Sequence, residues 1–431
     1  MKRVGKQTWV FDDGVYIQAA AAAVGPLEAD GPLGSYFDVC HRDLYCGEAT
    51  WELAERRLMR EAVDCCLQKA GVSAEEVDLF LAGDLLNQNA TSNYVARELP
   101  IPFLCLFGAC STSMQTLAAA AAFVAGGLAD RALAATSSHN ATAERQFRYP
   151  TELGVQKPKT ATFTVTGAGA ALVGRAPGRW RVRAATIGKV VDAGLKNPLD
   201  MGAAMAPAAA DTIEQHFRDL GVSPGDYDLI VTGDLSRVGS VIVRELLAES
   251  GYDVTDVYND CGMMIYRPDQ KVFAGGSGCA CSAVVTYGYL LQELARGTFR
   301  RLFVVATGAL LSQTMVQQNS RSQRSLTASS SKRLDRSRIC RRRTSFIWER
   351  SGGNVIWNTS VPFSPAGCCA PSFSSSSTAA NGRRLASPVR LSSLAYSLAL
   401  AASMIHSSLG LAPGRRCRYA DLGIGWRKGP W

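Results

Sequence analysis

The chain has few of the residue arrangements that build metal sites or membrane anchors. Its 431 residues include only four histidines, and its 13 cysteines form no C-x-x-C pair. A structural zinc site is therefore not predicted, and we expect no metal site. The apolar stretch at residues 394–411 is interrupted by serines and by His406, so it does not predict a membrane-spanning helix. The first residues contain no apolar signal segment, and we expect a reducing, cytosol-facing location.

Acidic residues are scarce at one end of the chain only. The formal net charge is +9, but residues 321–431 carry 18 lysines and arginines against 3 acidic residues. Residues 1–320 therefore hold 28 basic and 34 acidic residues and are mildly acidic. A long basic groove is not expected in this part, and nucleic acid is not predicted as a partner.

The sequence changes character abruptly near residue 319. Residues 320–431 contain runs of serine and arginine, and no apolar period of 2 or 3.6 persists in them. Such a composition is typical of a disordered tail. We prefer the interpretation of an out-of-frame extension, because the change follows directly after a well-formed strand and turn pattern. We therefore treat residues 320–431 as a low-complexity tail and place no function there.

The first 319 residues contain an internal repeat. Residues 71–85 read GVSAEEVDLFLAGDL, and residues 221–235 read GVSPGDYDLIVTGDL. A second match relates residues 109–111 (ACS) to residues 280–282 (ACS), and each is followed by a helical pattern, a glycine and an apolar strand pattern. Two landmarks in the same order predict an internally duplicated α/β protein. We place its halves at residues 1–177 and 178–319.

Local patterns predict several elements of these halves. Apolar residues at helical spacing predict a helix over residues 50–70, followed by a turn at Gly71. The remaining patterns predict strands. They cover residues 14–22, 77–82, 101–107, 161–166, 170–173 and 180–189. Residues 167–169 (GAG) are expected to separate two of these strands.

The turn around Cys110 is the first candidate for a site. It follows the apolar run 101–107 and precedes the alanine-rich run 117–125, so a strand, a sharp turn and a helix should meet there. The N-terminus of a helix favours a thiolate or an anion. Cys110 is therefore a nucleophile, the floor of a pocket for an anionic ligand, or a small apolar filler.

Other candidates lie at strand ends and in loops. Asp84 and Asp234 occupy the same place in the two halves, where a carboxylate either faces a ligand or caps the next turn. His139 follows a strand. It either donates a hydrogen bond to a carboxylate or is a surface or hydrogen-bonded residue of its loop. Residues 275–278 (GGSG) could present backbone N–H groups to an anion or only allow tight packing. Arg145 and Arg148 could bind carboxylates, although solvated arginines are the simpler interpretation.

Three motifs together resemble the thiolase/condensing-enzyme superfamily over about residues 5–319. Residues 108–111 (GACS) resemble its nucleophile turn, residues 162–173 (TFTVTGAGAALV) a strand pair, and residues 275–283 (GGSGCACSA) its glycine-rich loop. The resemblance implies an α/β, thiolase-like fold with duplicated α-β-α-β-α layered halves. Asp234 stands near the place of that superfamily's catalytic histidine, and glycines stand near the place of its asparagine. Ketoacyl-synthase-like acyl transfer on Cys110 is therefore the alternative interpretation, and an enzyme is not our main prediction.

The sequence resembles the stage V sporulation protein AD (SpoVAD) family more closely. The segments concerned are residues 82–88, 108–114, 137–140, 260–262, 275–283 and 306–312. The resemblance implies binding of dipicolinic acid, alone or as its calcium chelate, for uptake into the developing spore. It also implies a peripheral location at the inner forespore membrane, integral membrane proteins as partners and a homodimer formed through the N-terminal halves.

The ligand-binding prediction comprises residues from the turn around Cys110, from the two strand ends and from the glycine-rich loop. These residues are Cys110, Ser111, Asp84, His139, Asp234, Gly276, Ser277 and Cys279. No catalytic residue is predicted.

Overall fold

The computed structural model describes residues 1–148, 151–192, 194, 199–309, 343–350 and 353–359. Its β-strands are numbered in chain order. They are β1 (Lys2–Val4), β2 (Thr8–Val24), β3 (Val39–Cys40), β4 (Leu79–Gly83), β5 (Phe103–Cys105), β6 (Arg131–Ser138), β7 (Phe163–Thr164), β8 (Gly167–Gly174), β9 (Trp180–Gly188), β10 (Leu229–Thr232), β11 (Tyr258–Asp260), β12 (Gly276–Ser277), β13 (Arg301–Val305), β14 (Arg343–Arg350) and β15 (Gly353–Thr359).

The helices of the described residues follow the same numbering. They are α1 (Pro26–Ala29), α2 (Trp51–Ala70), α3 (Ala90–Ala96), α4 (Thr112–Ala125), α5 (Asn140–Phe147), α6 (Met201–Leu220), α7 (Ser236–Glu249), α8 (Cys261–Met264), α9 (Cys279–Val284) and α10 (Leu291–Arg296). A π-helical segment, Val285–Leu290, joins α9 to α10. None of the described helices is long and apolar enough to cross a membrane.

The large sheet shows a similar strand arrangement in each half. In the first half, β5, β4 and β6 are parallel, and β8 lies antiparallel between β6 and β2. In the second half, β11, β10 and β13 are parallel, and two strands, β14 and β15, lie between β13 and β9. Antiparallel pairing of β2 with β9 joins the halves. The predicted duplication is confirmed.

Three buried apolar clusters correspond to three helical layers. Helix α2 packs on one face of the first half, where Leu58, Ala62 and Cys66 meet residues of β6 and β8. Helices α6 and α7 cover the second half. Helix α4 and the segment from α9 to α10 form the central cluster, which contains residues of both halves. Each layer buries apolar area that water would otherwise contact. The α-β-α-β-α order predicted from the sequence is confirmed.

The helix predicted over residues 50–70 is confirmed as α2. The Thr50 side chain accepts a hydrogen bond from the Leu53 N–H and caps its N-terminus. Gly71 ends the helix in the left-handed conformation, with φ of 63°, which glycine adopts without steric cost.

Several strand predictions were wrong in their bounds. The strand predicted over 14–22 is longer in the structure (β2), and the one predicted over 161–166 is shorter (β7). Residues 167–169 do not separate two strands but open β8, and the strand predicted over 101–107 covers only Phe103–Cys105. A Cβ atom on Gly169 would lie 2.6 Å from the Tyr287 side chain. The glycine is therefore needed for close packing against the central helical layer, as small residues in a strand allow.

Strands β14 and β15 lie within the range interpreted as a low-complexity tail. The sequence pattern did not predict them. They pair with each other and with both β9 and β13, so they lie between the strands of the second half. The boundaries proposed at residues 177/178 and 319/320 stay predictions.

A buried hydrogen-bond chain holds the junction between the two halves. The Thr8 and Thr186 hydroxyl groups on β2 and β9 are 2.8 Å apart, and Thr186 Oγ1 is 2.7 Å from His216 Nδ1. The second ring nitrogen of His216 is 3.1 Å from the Tyr227 hydroxyl group. Burial lowers the pKa of His216 to about 3, so this ring is neutral and has a structural role.

Two fully buried carboxyl groups hold the halves and layers together. Glu28 accepts hydrogen bonds from the Tyr266 hydroxyl group and the Thr166 N–H, and Glu55 is bonded to Ser137 and Thr142 hydroxyl groups. Burial is the main cause that raises the pKa of Glu28 to about 7 and that of Glu55 to about 8. Both side chains therefore keep a proton in the folded protein under mildly acidic conditions.

These carboxyl groups make stability depend on pH. Between about pH 4.5 and 8 the folded protein holds protons that the unfolded chain has released, so the free energy of unfolding should fall as pH rises. Urea unfolding at pH 5 and pH 8 measures the effect. Glu55→Gln should reduce the pH dependence, and the exposed Glu75→Gln should leave it unchanged. An unchanged dependence in Glu55→Gln would contradict the assignment.

Candidate functional site

A small cavity lies where the ends of strands from both halves meet. Its enclosed part has a volume of about 40 Å³, and the cavity is open to solvent on one side. The lining is largely apolar, and one wall reaches the surface at Phe107, whose exposed fraction is 40%. The lining residues are Leu85, Phe107, Ala109, Cys110, Ala143, Phe147, Arg148, Thr164, Met201, Ser277, Gly278 and Ala309.

The predicted strand–turn–helix around Cys110 forms one wall of this cavity. A 3₁₀ turn, Ala109–Ser111, leads directly into α4. Ala109 has a φ of 49°, a left-handed conformation that costs a non-glycine residue about 1–2 kcal/mol. The Thr112 hydroxyl group holds the turn by donating to the Ala109 carbonyl at 2.7 Å and accepting from the Gly108 N–H at 2.9 Å. The turn therefore keeps the Cys110 side chain directed at the cavity.

The second half contributes to the same turn through the segment that follows β13. A Cβ atom on Gly308 would lie 2.3 Å from the Gly108 carbonyl oxygen and 3.1 Å from the Cys110 nitrogen. Only glycine allows the two backbones to approach so closely. The geometry of the Cys110 turn therefore depends on both halves.

Asp234 lies behind Cys110 and is almost fully buried. Its Oδ2 atom accepts hydrogen bonds from the Ser277 hydroxyl group at 3.1 Å and the Gly278 N–H at 3.0 Å. Burial, with a smaller contribution from Asp260, raises the pKa of Asp234 to about 7. Burial and the neighbouring Asp234 raise the pKa of Cys110 well above its usual value. Near neutral pH, Cys110 is therefore a thiol and not a thiolate.

The glycine-rich loop binds a carboxylate of the protein itself. Residues 275–278 were predicted to present N–H groups to an anion or to allow tight packing. The Gly278 N–H donates to Asp234, and a Cβ atom on Gly276 would lie 2.9 Å from the Ile265 side chain. Gly276 does not line the cavity, whereas Ser277 does.

The two strand-end aspartates have different environments in the two halves. Asp84 caps the following turn, because its carboxylate accepts from the Leu86 and Ser92 N–H groups at 2.9 and 2.8 Å. In the second half, Asp260 has this role and accepts from the Leu235 and Ser236 N–H groups, both at 2.9 Å. Asp234 is thereby left to face Cys110.

Three further predicted residues lie outside the cavity lining. His139 Nε2 is 2.8 Å from the Leu44 carbonyl oxygen, and His139 Nδ1 accepts from the Ala141 N–H. The Ser111 hydroxyl group donates to the Gly108 carbonyl at 2.6 Å, and the Cys279 thiol donates to the Ser137 carbonyl. The structure thus brings Cys110, Ser277 and Asp234 together and places the other five away from the lining. The ligand-binding role of all eight stays a prediction.

Arg148 is the one charged side chain among the lining residues, and it was not in the predicted set. Its side chain is only 8% exposed, and it donates to Glu144 at 2.6 Å and to the Thr162 carbonyl at 3.3 Å. Arg145 instead lies at the surface and pairs with Glu52 and Glu152. No local sequence pattern distinguishes the two arginines, because tertiary packing decides which of them lines the cavity.

The described residues contain no group of three histidine, cysteine or acidic side chains placed to hold a metal ion. Chemically, the cavity offers one guanidinium group, a thiol beside a partly protonated carboxyl group, and apolar walls. This set suits a small anionic ligand with an apolar body.

Comparisons with known proteins agree with the motifs. The family model described as Stage V sporulation protein AD (SpoVAD) matches residues 5–323. Stage V sporulation protein AD of Bacillus subtilis (strain 168) is 62% identical over 318 residues, which are 74% of this chain and 94% of the relative.

Solved structures of lower similarity also match. The 3-oxoacyl-[acyl-carrier-protein] synthase III from Aquifex aeolicus VF5 is 15% identical, with coverage of 70% of this chain and 96% of that chain and a TM-score of 0.42. Human mitochondrial 3-ketoacyl-CoA thiolase in complex with CoA is 14% identical, with 70% and 96% coverage and a TM-score of 0.47. The extent and identity of the family match and of the Bacillus subtilis relative establish that this chain belongs to the SpoVAD family of sporulation proteins.

Proposed function

We propose that the cavity binds dipicolinate, pyridine-2,6-dicarboxylate, and that the protein serves its uptake into the developing spore. The observation that carries this proposal is Arg148, a nearly buried cation in an otherwise apolar lining. A guanidinium group binds a carboxylate through charge-assisted hydrogen bonds. Phe107, Phe147 and Met201 offer apolar contact for an aromatic ring.

The ligand is proposed to arrive alone or as its calcium chelate, in which the ligand's own nitrogen and oxygen atoms would hold the ion. Calcium prefers oxygen ligands and is held by several of them. A chelate carries less negative charge than the free dianion, so its attraction to Arg148 should be weaker. Titrations with and without calcium distinguish the two forms.

The protonation states at Cys110 favour binding over catalysis. A nucleophilic cysteine must lose its proton to a base, yet burial and Asp234 raise the pKa of this thiol. None of the three described histidines lines the cavity: His41 pairs with Glu61, and His139 and His216 are bonded elsewhere. We therefore favour a binding protein over a ketoacyl-synthase-like acyltransferase.

The protein is proposed to act at the inner forespore membrane as a peripheral component, together with integral membrane proteins of the same uptake system.

We also propose a homodimer, formed through β5. This strand is at one end of the large sheet, and Leu104 and Phe107 are about two-fifths exposed, at 41% and 40%. An uncovered apolar edge strand favours pairing with a second copy.

Replacing Arg148 with alanine should weaken dipicolinate binding about ten-fold or more, because charge-assisted hydrogen bonds are lost. Lys157 still pairs with Glu144 in this variant, so the fold should be retained. Calorimetric titration of the full chain with dipicolinate, with and without calcium, measures the affinity. Arg145→Ala, three residues earlier in α5, is the matched control and should bind like the unaltered protein. Equal affinities of the two variants, or no saturable binding by the unaltered protein, would contradict the proposal.

Cys110 should remain unmodified by acyl donors. Incubation of the full chain with acetyl-CoA or longer acyl-CoA, followed by intact-mass measurement, should show no thioester. The expectation follows from the raised pKa of the thiol. An added acyl mass that disappears in Cys110→Ala would favour the acyltransferase instead.

The dimer prediction concerns Leu104. Leu104→Asp would put a charge on the β5 edge, where it would have to lose its water in an interface. Sedimentation or light scattering should show a shift from dimer to monomer. Leu128→Asp is the control, because Leu128 is 75% exposed and lies in a turn. A monomeric unaltered protein, or an intact dimer in Leu104→Asp, would argue against pairing through β5.

A further inference from the structure

Three charged side chains lie together at the wall of the cavity that Arg148 forms. Glu144 on α5 is fully buried, and its Oε1 atom is contacted by Arg148 at 2.6 Å and by Lys157 at 2.8 Å. The Lys157 side chain is 16% exposed and does not line the cavity. Two cations therefore share one carboxylate oxygen, and the group has a net charge of +1.

The second cation, Lys157, changes the net charge at the cavity wall that a ligand would meet. An Arg148–Glu144 pair alone would be neutral, and a neutral buried pair attracts an anion only weakly. With Lys157 on the same carboxylate, one positive charge remains in excess beside the cavity. Coulomb interactions over short distances inside a protein are much stronger than in water, so a cation that never touches the ligand still affects it.

We propose that Lys157 determines the anion selectivity of the cavity by neutralising Glu144, and that Glu144 positions the Arg148 guanidinium group. This inference rests on the proposed function for its natural ligand, an aromatic dicarboxylate, but the electrostatic assignment concerns any small anion that reaches Cys110. Arg148 contacts the ligand, whereas Glu144 and Lys157 act through Arg148. Among the described residues, the Cys110 thiol and Asp234 are further ionisable groups at the cavity floor, and both stay the same in all the variants below.

The assignment makes a specific prediction for a double-mutant cycle. The net charge of the group is 0 in Lys157→Gln, +2 in Glu144→Gln, and again +1 in the double variant. Lys157→Gln should therefore weaken dipicolinate binding on the order of ten-fold. Adding Glu144→Gln should restore the affinity of the unaltered protein, because the lysine is no longer needed. A purely structural role of Lys157 would not give this recovery.

A second measurement does not require dipicolinate. At alkaline pH, where a fraction of Cys110 is thiolate, iodoacetate, an anion, and iodoacetamide, which is neutral, both alkylate it by the same displacement of iodide. The ratio of the two rates, read by peptide mass mapping, reports the local charge. The ratio should fall several-fold in Lys157→Gln and return in the double variant. Lys159→Gln, at an exposed lysine two residues away, is the control and should change neither measurement.

The two failures are distinguishable. No heat of dipicolinate binding by the unaltered protein contradicts the proposed function, while the alkylation ratio still tests the charge assignment. An alkylation ratio that is the same in Lys157→Gln and the unaltered protein overturns the assignment, and so does a double variant as low as Lys157→Gln.

Discussion

The antiparallel pairing of β2 with β9 is the interaction on which the rest of this structure depends. It makes one continuous sheet of two similar halves. As a result, α4 and the helix that begins with α9 lie next to each other in the central layer, where the Ser113 and Ser282 hydroxyl groups are 2.6 Å apart. The cavity forms beside this contact, and neither half alone contains all of its walls. Buried threonine hydroxyl groups and a neutral histidine satisfy the polar atoms at the join.

Both duplicated halves contribute residues to the site. The chemistry of the site depends on Asp234, whose surroundings differ from those of the equivalent Asp84. Asp84 and Asp234 come from equivalent repeats, but their surroundings differ because Asp260 provides the caps of the second half. Asp234 is therefore buried beside a thiol, and the backbone N–H that it accepts comes from Gly278 of the glycine-rich loop and not from the following turn. The same aspartate is bound by the glycine-rich loop, which leaves Arg148 as the positive charge of the lining.

Much of the fold followed from the sequence alone. The two GVS-to-GDL repeats predicted the duplication. Helical spacing and Gly71 predicted α2 and its end, because a left-handed glycine acts locally. The motif around Cys110 also predicted its turn. The residues of the site were harder to predict from the sequence. Whether Asp84 or Asp234 faces a cavity depends on a neighbouring strand, and no local pattern reports that. Arg148 and Arg145 look alike in sequence, and tertiary packing on one face of α5 separates them.

The close approach of Gly308 to the Cys110 turn has a consequence for how this architecture can evolve. Gly308, which follows β13 in the second half, lies so close to the first half's Cys110 turn that a Cβ atom on it would be 2.3 Å from the Gly108 carbonyl oxygen. A side chain at residue 308 would clash with the carbonyl oxygen of Gly108. Substitutions at these positions of the two repeats are therefore not independent of each other. The halves are therefore not interchangeable modules. The geometry of each half depends on the other, and a gene encoding one repeat alone would not encode the cavity.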